Sequence, residues 1–459
     1  MAKKLLLIFS ILLFTSAIAS AQSNLPDNFY FKKLSNGLDV LIVQDQTVPL
    51  VTIELAVRNG AYTESAEFDG LSHLYEHMFF KANKDIPSQE EFIKRANELG
   101  ALWNGTTSNE RVNYFITIGN QHLKDGLKFM NSAIRYPLFL PEEMVAENPV
   151  VDGEFQRAES NPVFFLFEDM SGYLWGDLKS RKSAIGNHDI ILSATPEKMR
   201  IVKDKYYYPN NSIIVLGGDV DPEKAFEMVE EIFGEWKPSD FDPFVKYPIP
   251  EFEPLKESKN FITVNENAKN PVILIEWHGP DTRNDIPATY AADVFSFIVN
   301  QTSSELQKDL VDGGLANQVS VGYSTLKYVG DISMFIVPKP DKINEVLAMV
   351  DEHINKWDSD NYFTDEQIQT AKTQLEIQDA YSRENITNYV HTLTYWWASA
   401  DIDYYTTYID NLNKVTRADI KRYVDKYIKG KPRITGILLS PEMMKTVSLQ
   451  NFESASGNH

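Results

Sequence analysis

Along the chain, stretches that alternate apolar and polar residues give way to stretches whose apolar positions recur every three to four residues. LDVLIVQD (Leu38 to Asp45) and VTIELAVRNG (Val51 to Gly60) are rich in β-branched residues and end in turn signals, which predicts strands. VNYFITI (Val112 to Ile118) alternates as a sheet strand does, while GLSHLYEHMFFK and PSQEEFIKRANELG read as helices. The mixture predicts an α+β fold with helices packed on a mainly antiparallel sheet.

A second regularity lies above the elements. Thr195 opens a helix-like stretch ending Asp204-Lys205-Tyr206, followed by SIIVLGGDV and Pro222-Glu223. Thr416 opens a similar stretch ending Asp425-Lys426-Tyr427, followed by RITGILLS and Pro441-Glu442. The offset is 221 residues at the triplet and 219 at the Pro-Glu pair, and matched order at matched separation predicts a duplicated domain. Between the copies, FDPFVKYPIPEFEPLKES (241–258) carries four prolines and predicts a stiff, extended linker. The expected organisation is 22–240 as one domain, 241–258 as linker, 259–445 as its homologue and 446–459 as a tail. At 459 residues the chain exceeds what one hydrophobic core serves, in keeping with two domains.

Residues 1–21 stand apart. Lys3 and Lys4 precede the apolar run Leu5 to Phe14, and Ala19-Ser20-Ala21 supplies a small-residue cleavage site, the pattern of a secretory signal peptide. The run is short for a membrane span, and no later stretch is apolar enough for one. With no cysteine there is no acylation site, disulfide or thiolate ligand. A Gram-negative periplasm is the expected location, with free secretion the alternative. A formal charge of −21 makes the body repel phosphate backbones and anionic lipid, so neither nucleic acid nor membrane is an expected partner.

The segment His73-Leu74-Tyr75-Glu76-His77 carries the chemistry. On a helix, His73 and His77 project from one face about one turn apart, a separation at which two imidazoles can bind one zinc ion. Glu76 lies on nearly the same face, where a carboxylate can take a proton from a water at the metal. A catalytic zinc needs a third protein ligand, which this segment does not supply. Two histidines and a glutamate on an amphipathic helix are also ordinary surface residues, so the pattern alone does not decide. The other histidines show no ligand spacing, and there is no G-x-S-x-G elbow or phosphate loop.

H-x-x-E-H is the inverzincin signature, and GLSHLYEHMFFKAN resembles the corresponding helix of the pitrilysin/insulinase family, in particular its mitochondrial-processing-peptidase-like branch. The resemblance spans the mature chain. It implies that Glu154, 77 residues beyond His77 in ENPVVDGEFQRAESNP, completes a site for one zinc per chain, and that Glu147, seven residues earlier, orients a ligand. It also implies that GALWNGTTSNERVNYF contains the edge strand to which substrate backbone adds, through Asn104, Gly105 and Thr106. Pro149 lies between the two glutamates and is expected to interrupt the helix, with Asn148 capping a new one that leaves Glu147 outside it.

The second half reads differently. Adding 221 to His73, Glu76 and His77 reaches Val294, Phe297 and Ile298, inside the apolar AADVFSFIV, so one half is expected to carry chemistry and the other to be its partner domain. Family members also use an Arg and a Tyr from a segment that here reads LVDGGLANQV, with Val311 and Asn317 at those positions. Two expectations follow: Asn317 or nearby Tyr323 substitutes in a self-sufficient chain or homodimer, or a similar second chain supplies the Arg and Tyr in a heterodimer. The implied function is a zinc-dependent endopeptidase acting on extended peptides, and its rival is a non-catalytic scaffold that retains the metal site.

Overall fold

A computed structural model describes residues 25–455 except 177, 179, 180 and 182, so the signal-peptide reading of 1–21 lies outside the described residues. Two six-stranded sheets form. The first contains β1 (Phe29–Lys33), β2 (Asp39–Gln44), β3 (Leu50–Val57), β4 (Leu102–Thr107), β5 (Val112–Gly119) and β6 (Ser212–Gly218), in the order β1-β2-β6-β3-β5-β4. The second contains β7 (Lys259–Val264), β8 (Val272–His278), β9 (Ala316–Tyr323), β10 (Asp331–Pro338), β11 (Ile434–Leu439) and β12 (Glu453–Ser454), in the order β12-β7-β11-β8-β10-β9.

The sheets share a parallel pair at corresponding places, β2 with β6 and β7 with β11, and the next three pairings in each are antiparallel. The sheets differ at the outer edge, where β1 runs antiparallel to β2 but the tail strand β12 runs parallel to β7. The chain is therefore α+β, with two domains of one topology, each a mainly antiparallel sheet with helices packed on it. β6 and β11 are buried along their whole length because helices cover both faces, which is why they read as unbroken apolar runs.

One helix of each half is exchanged. The Pro162–Trp175 helix of the first half lays Leu166, Met170 and Leu174 on Phe261, Val272, Leu274 and Leu438 of the second sheet. The Ile386–Ser399 helix of the second half lays Tyr389, Val390, Leu393 and Trp397 on Leu41, Val43, Ile213 and Val215 of the first. Each fully buried side chain contributes roughly 1.5–3 kcal/mol, so the exchange joins the halves strongly. It also brings backbones close. A Cβ on Gly217 would lie 2.4 Å from Val390 Cγ2, and one on Gly436 would lie 2.4 Å from Phe261 Cζ and 2.9 Å from Leu166 Cδ1.

Polar contacts add to this join. Fully buried Glu54 is bonded to His391 and to Thr394, and Arg111 Nη1 donates to the His391 carbonyl (2.6 Å) and to Thr394 Oγ1 (2.7 Å). Glu110, in the turn between β4 and β5, accepts the backbone N–H groups of Lys327 (2.8 Å) and Tyr328 (2.9 Å).

Two local expectations are corrected. The linker is not extended throughout: Pro243–Lys246 forms one helical turn capped by Asp242. Pro149 does not interrupt its helix. Pro141–Glu159 is continuous and carries both Glu147 and Glu154. Pro149 lies on the solvent face, where water can bond the carbonyl its missing N–H leaves free. Asn148 does not cap a helix; its amide donates to the Ala194 carbonyl at 3.2 Å.

Candidate metal centre

His73, Glu76 and His77 lie on the Leu71–Phe79 helix, which buries Leu71, Leu74, Tyr75, Met78 and Phe79 in the first core and leaves the two imidazoles partly exposed. No Ser or Thr caps this helix. Its N-terminus begins at Gly70, with φ 88°, and the buried Glu64 carboxylate takes the capping role, accepting Gly70 N–H (2.8 Å) and Ser72 N–H (2.7 Å). Gly70 passes so close to Gly186 that a Cβ on Gly186 would stand 2.2 Å from the Gly70 Cα, so neither position admits a side chain.

The Pro141–Glu159 helix faces this segment. Glu143, Glu147 and Glu154 fall on one side of it because four and seven residues bring the chain back to nearly the same angle. Glu143 accepts Ala82 N–H (3.0 Å) and Gln89 N–H (3.0 Å), tying down the chain just beyond the histidine helix. Glu154 Oε2 lies 3.5 Å from His73 Nε2 and 3.8 Å from His77 Nε2. The imidazole rings stand nearly perpendicular, with centroids 4.9 Å apart. One donor atom from each of the three residues falls within 4.8 Å of the others, the only such group of His, Asp or Glu among the described residues.

The donor set fits zinc. Two imidazole nitrogens and a carboxylate oxygen converge and leave a coordination position free for a reacting group. Burial, with His77 beside it, lowers the His73 pKa to about 4, so that imidazole is neutral with a lone pair to give. His77 Nδ1 is 2.8 Å from Glu147 Oε1, which leaves Nε2 free to ligate a metal, whereas His73 Nδ1 is buried without a hydrogen-bond partner among the described residues. Burial is the largest influence on His77 and opposes its charge, but the Glu147 bond together with the charges of Glu76, Glu147 and Glu154 outweighs it and raises the pKa of the metal-free imidazole.

The Glu76 carboxylate lies against β4, within reach of the charges of His77 and Glu154. Thr107 Oγ1 donates to Glu76 Oε2 at 3.1 Å, and Gly105 lies directly beneath the carboxylate, where an added Cβ would be 2.6 Å from Oε1. Burial raises the Glu76 carboxyl to about 7 against the pull of His77 and Thr107. Asn104, Gly105 and Thr106 are on β4, which among the described residues pairs only with β5 and so presents an unpaired edge.

Of the second-half positions, Tyr323 is engaged within its own half. Val311 lies in a wide helical turn at Lys308–Asp312, Asn317 is exposed on β9, and the Tyr323 hydroxyl donates to the Pro280 carbonyl at 2.9 Å. Sequence reasoning missed Glu64, Lys81, Thr107 and Glu143. Lys81 was within reach of it, because it follows His77 by four residues and so falls on the same face.

A model described as "Insulinase (Peptidase family M16)" matches residues 39–184, and one described as "Peptidase M16 inactive domain" matches 193–375. The chain belongs to the insulinase family of peptidases. Within this family it is similar to a zinc protease, PqqE, of Helicobacter pylori, 24% identical over 96% of this chain and 99% of that protein. It is also similar to an uncharacterized zinc protease of Rickettsia felis, 24% identical over 78% of this chain and 85% of that one. Its fold matches the crystal structure of a protease from H. pylori, with TM-score 0.78 and 20% identity over 90% of this chain and 99% of that one. It likewise matches the first half of the periplasmic protease PqqL from Escherichia coli, with TM-score 0.74 and 15% identity over 92% and 94%. The family matches and the relatives' names make the chain a zinc-protease relative, and none of its described helices is long and apolar enough to cross a membrane.

Proposed function

We propose that this insulinase-family chain is a zinc-dependent endopeptidase that hydrolyses extended peptides, with His73, His77 and Glu154 holding the metal and Glu76 as general base. The observation that carries the reading is the convergence of those three donors beside a carboxylate poised over an open sheet edge. Zinc, when bound, supplies Lewis acidity that polarises a peptide carbonyl and makes a nearby water more acidic.

The chain's own residues do the rest. A peptide adds as a strand along β4 at Asn104 to Thr106, its backbone taking the free hydrogen bonds of the edge. Glu76 takes the proton of the attacking water and returns it to the leaving nitrogen, roles suited to a carboxyl that burial holds near neutrality. The Thr107 hydroxyl keeps that carboxylate aimed, and Gly105 gives it room. Glu147 fixes the His77 ring.

The proposal extends to a heterodimer. Val311 and Asn317 offer neither cation nor phenol, and the Tyr323 hydroxyl is already engaged, so a similar chain supplying Arg and Tyr would complete transition-state stabilisation. The signal-like residues 1–21 and the likeness to a periplasmic protease support a periplasmic location.

The test is Glu76→Gln. The variant should bind one equivalent of zinc as the parent does and lose roughly 10²- to 10⁴-fold in peptide hydrolysis; retained turnover would refute the base assignment. Stoichiometric zinc in a parent that cleaves no peptide, alone or with its partner chain, would favour a scaffold. Full activity of the purified chain alone on size exclusion would reject the heterodimer.

A further inference from the structure

Lys81 is a buried lysine beside the candidate metal centre. Its side chain is only 3% exposed, yet it carries an ammonium group, and burying a cation is costly unless it is paired. The charged partner the structure gives it is Glu147, through Oε2, while the other oxygen of that carboxylate, Oε1, faces His77 Nδ1 at 2.8 Å. One buried carboxylate thus bridges a fixed cation and a ring whose far nitrogen faces Glu154.

We infer that Lys81 is a positioning residue for the metal site, acting through Glu147 to fix the rotation of the His77 ring. The inference rests on the zinc reading above. A carboxylate held at one oxygen only can pivot about its side-chain torsions, and the point at which it meets an imidazole then moves with it. Held at both oxygens it cannot, and the charge-assisted bond to Lys81 is the stronger kind of anchor. Glu143 fixes the backbone around the lysine from the same helix, through Ala82 and Gln89, so the anchor is itself anchored. The chain of contacts runs from Lys81 to Glu147 to His77, with no contact between Lys81 and a ligand atom required.

Zinc affinity, read by competition with a chromophoric chelator, tests this without reference to activity. Lys81→Met removes the charge at similar volume and should weaken zinc binding roughly 10- to 100-fold, the range seen when the partner behind a ligand is lost. The same substitution in a Glu147→Gln background should change affinity less than twofold, because the route is already cut. A structural role would weaken binding in both backgrounds. Lys81→Gln, which keeps a donor, is the second variant should the methionine protein fail to fold, and it should fall between parent and Lys81→Met. Parent-like affinity in either folded variant, or an equal loss in the Glu147→Gln background, would overturn the inference. A parent that binds no zinc would instead remove the zinc reading on which it rests.

Discussion

At the offset that relates the two halves, Val294, Phe297 and Ile298 stand where the first has His73, Glu76 and His77. The same 221 residues set Ile368 against Glu147 and Leu375 against Glu154. Val294, Ile298, Ile368 and Leu375 are all buried in the second core, and Phe297 packs against it. They lie on the Ile286–Val299 and Asp365–Ser382 helices, which pack together as the two site-bearing helices do in the first half. One pair of helices therefore appears twice, once closed by apolar side chains and once opened by five polar ones. The polar version takes charged groups out of water and must bond each of them to something, which the apolar version avoids. The comparison teaches that the fold does not need these polar residues, so their presence in one half is a statement about chemistry.

The largest effect should come from making the first half resemble the second at one position. Glu154→Leu, the residue found at 375, should lower zinc affinity by about 100-fold or more, since a catalytic site keeps only three protein ligands. Thermal melting of the metal-free protein should be unchanged or slightly raised. Unchanged affinity would mean that Glu154 is not a ligand. A smaller effect is expected of Gly105→Ala. The new Cβ would displace the Glu76 carboxylate and cut kcat by roughly 10- to 100-fold with zinc content intact, as misplacing a reacting group by an ångström can do. Parent-like kcat would show that Glu76 acts from another position.

The smallest effect concerns how the two halves cap the matching helices. Glu64 caps the histidine helix, and burial raises its carboxyl to about 8 against the two backbone donors. Asp285 caps the Ile286–Val299 helix, and although burial pushes its carboxyl up, the bonds from Lys426, Tyr427 and Ala288 N–H together with the Lys426 charge lower it. A raised carboxyl holds its proton longer folded than unfolded, so the Glu64 contribution is full below its ordinary value of 4.5 and declines as pH rises to about 8. The lowered Asp285 contributes above its ordinary value of 3.8 and loses this as pH falls. Melting of Glu64→Gln and Asp285→Asn against pH should thus differ from the parent with opposite slopes, each cap being worth about 1 kcal/mol. Parallel slopes would contradict the pairing.

Much of this was legible beforehand. Strands such as VNYFITI declare themselves by alternation, and the repeated Asp-Lys-Tyr and Pro-Glu words mark the duplication that the sheet orders repeat. The four-residue histidine spacing needs only helix geometry. Glu154 did not follow from local pattern, because its approach to His73 depends on packing between distant helices, and only the resemblance pointed to it. Pro149 misled because local propensity forbids what a solvent-facing helix tolerates. The exchanged helices had no signature at all: an apolar stripe shows that a helix is buried, not which sheet buries it.

The most direct test is an anomalous difference map at the zinc absorption edge, from crystals of the zinc-loaded chain. A single peak between His73 Nε2, His77 Nε2 and Glu154 Oε2, at roughly 2.0–2.2 Å from each, is the predicted result. A map with no peak there, or with its peak held by other residues, would contradict the account.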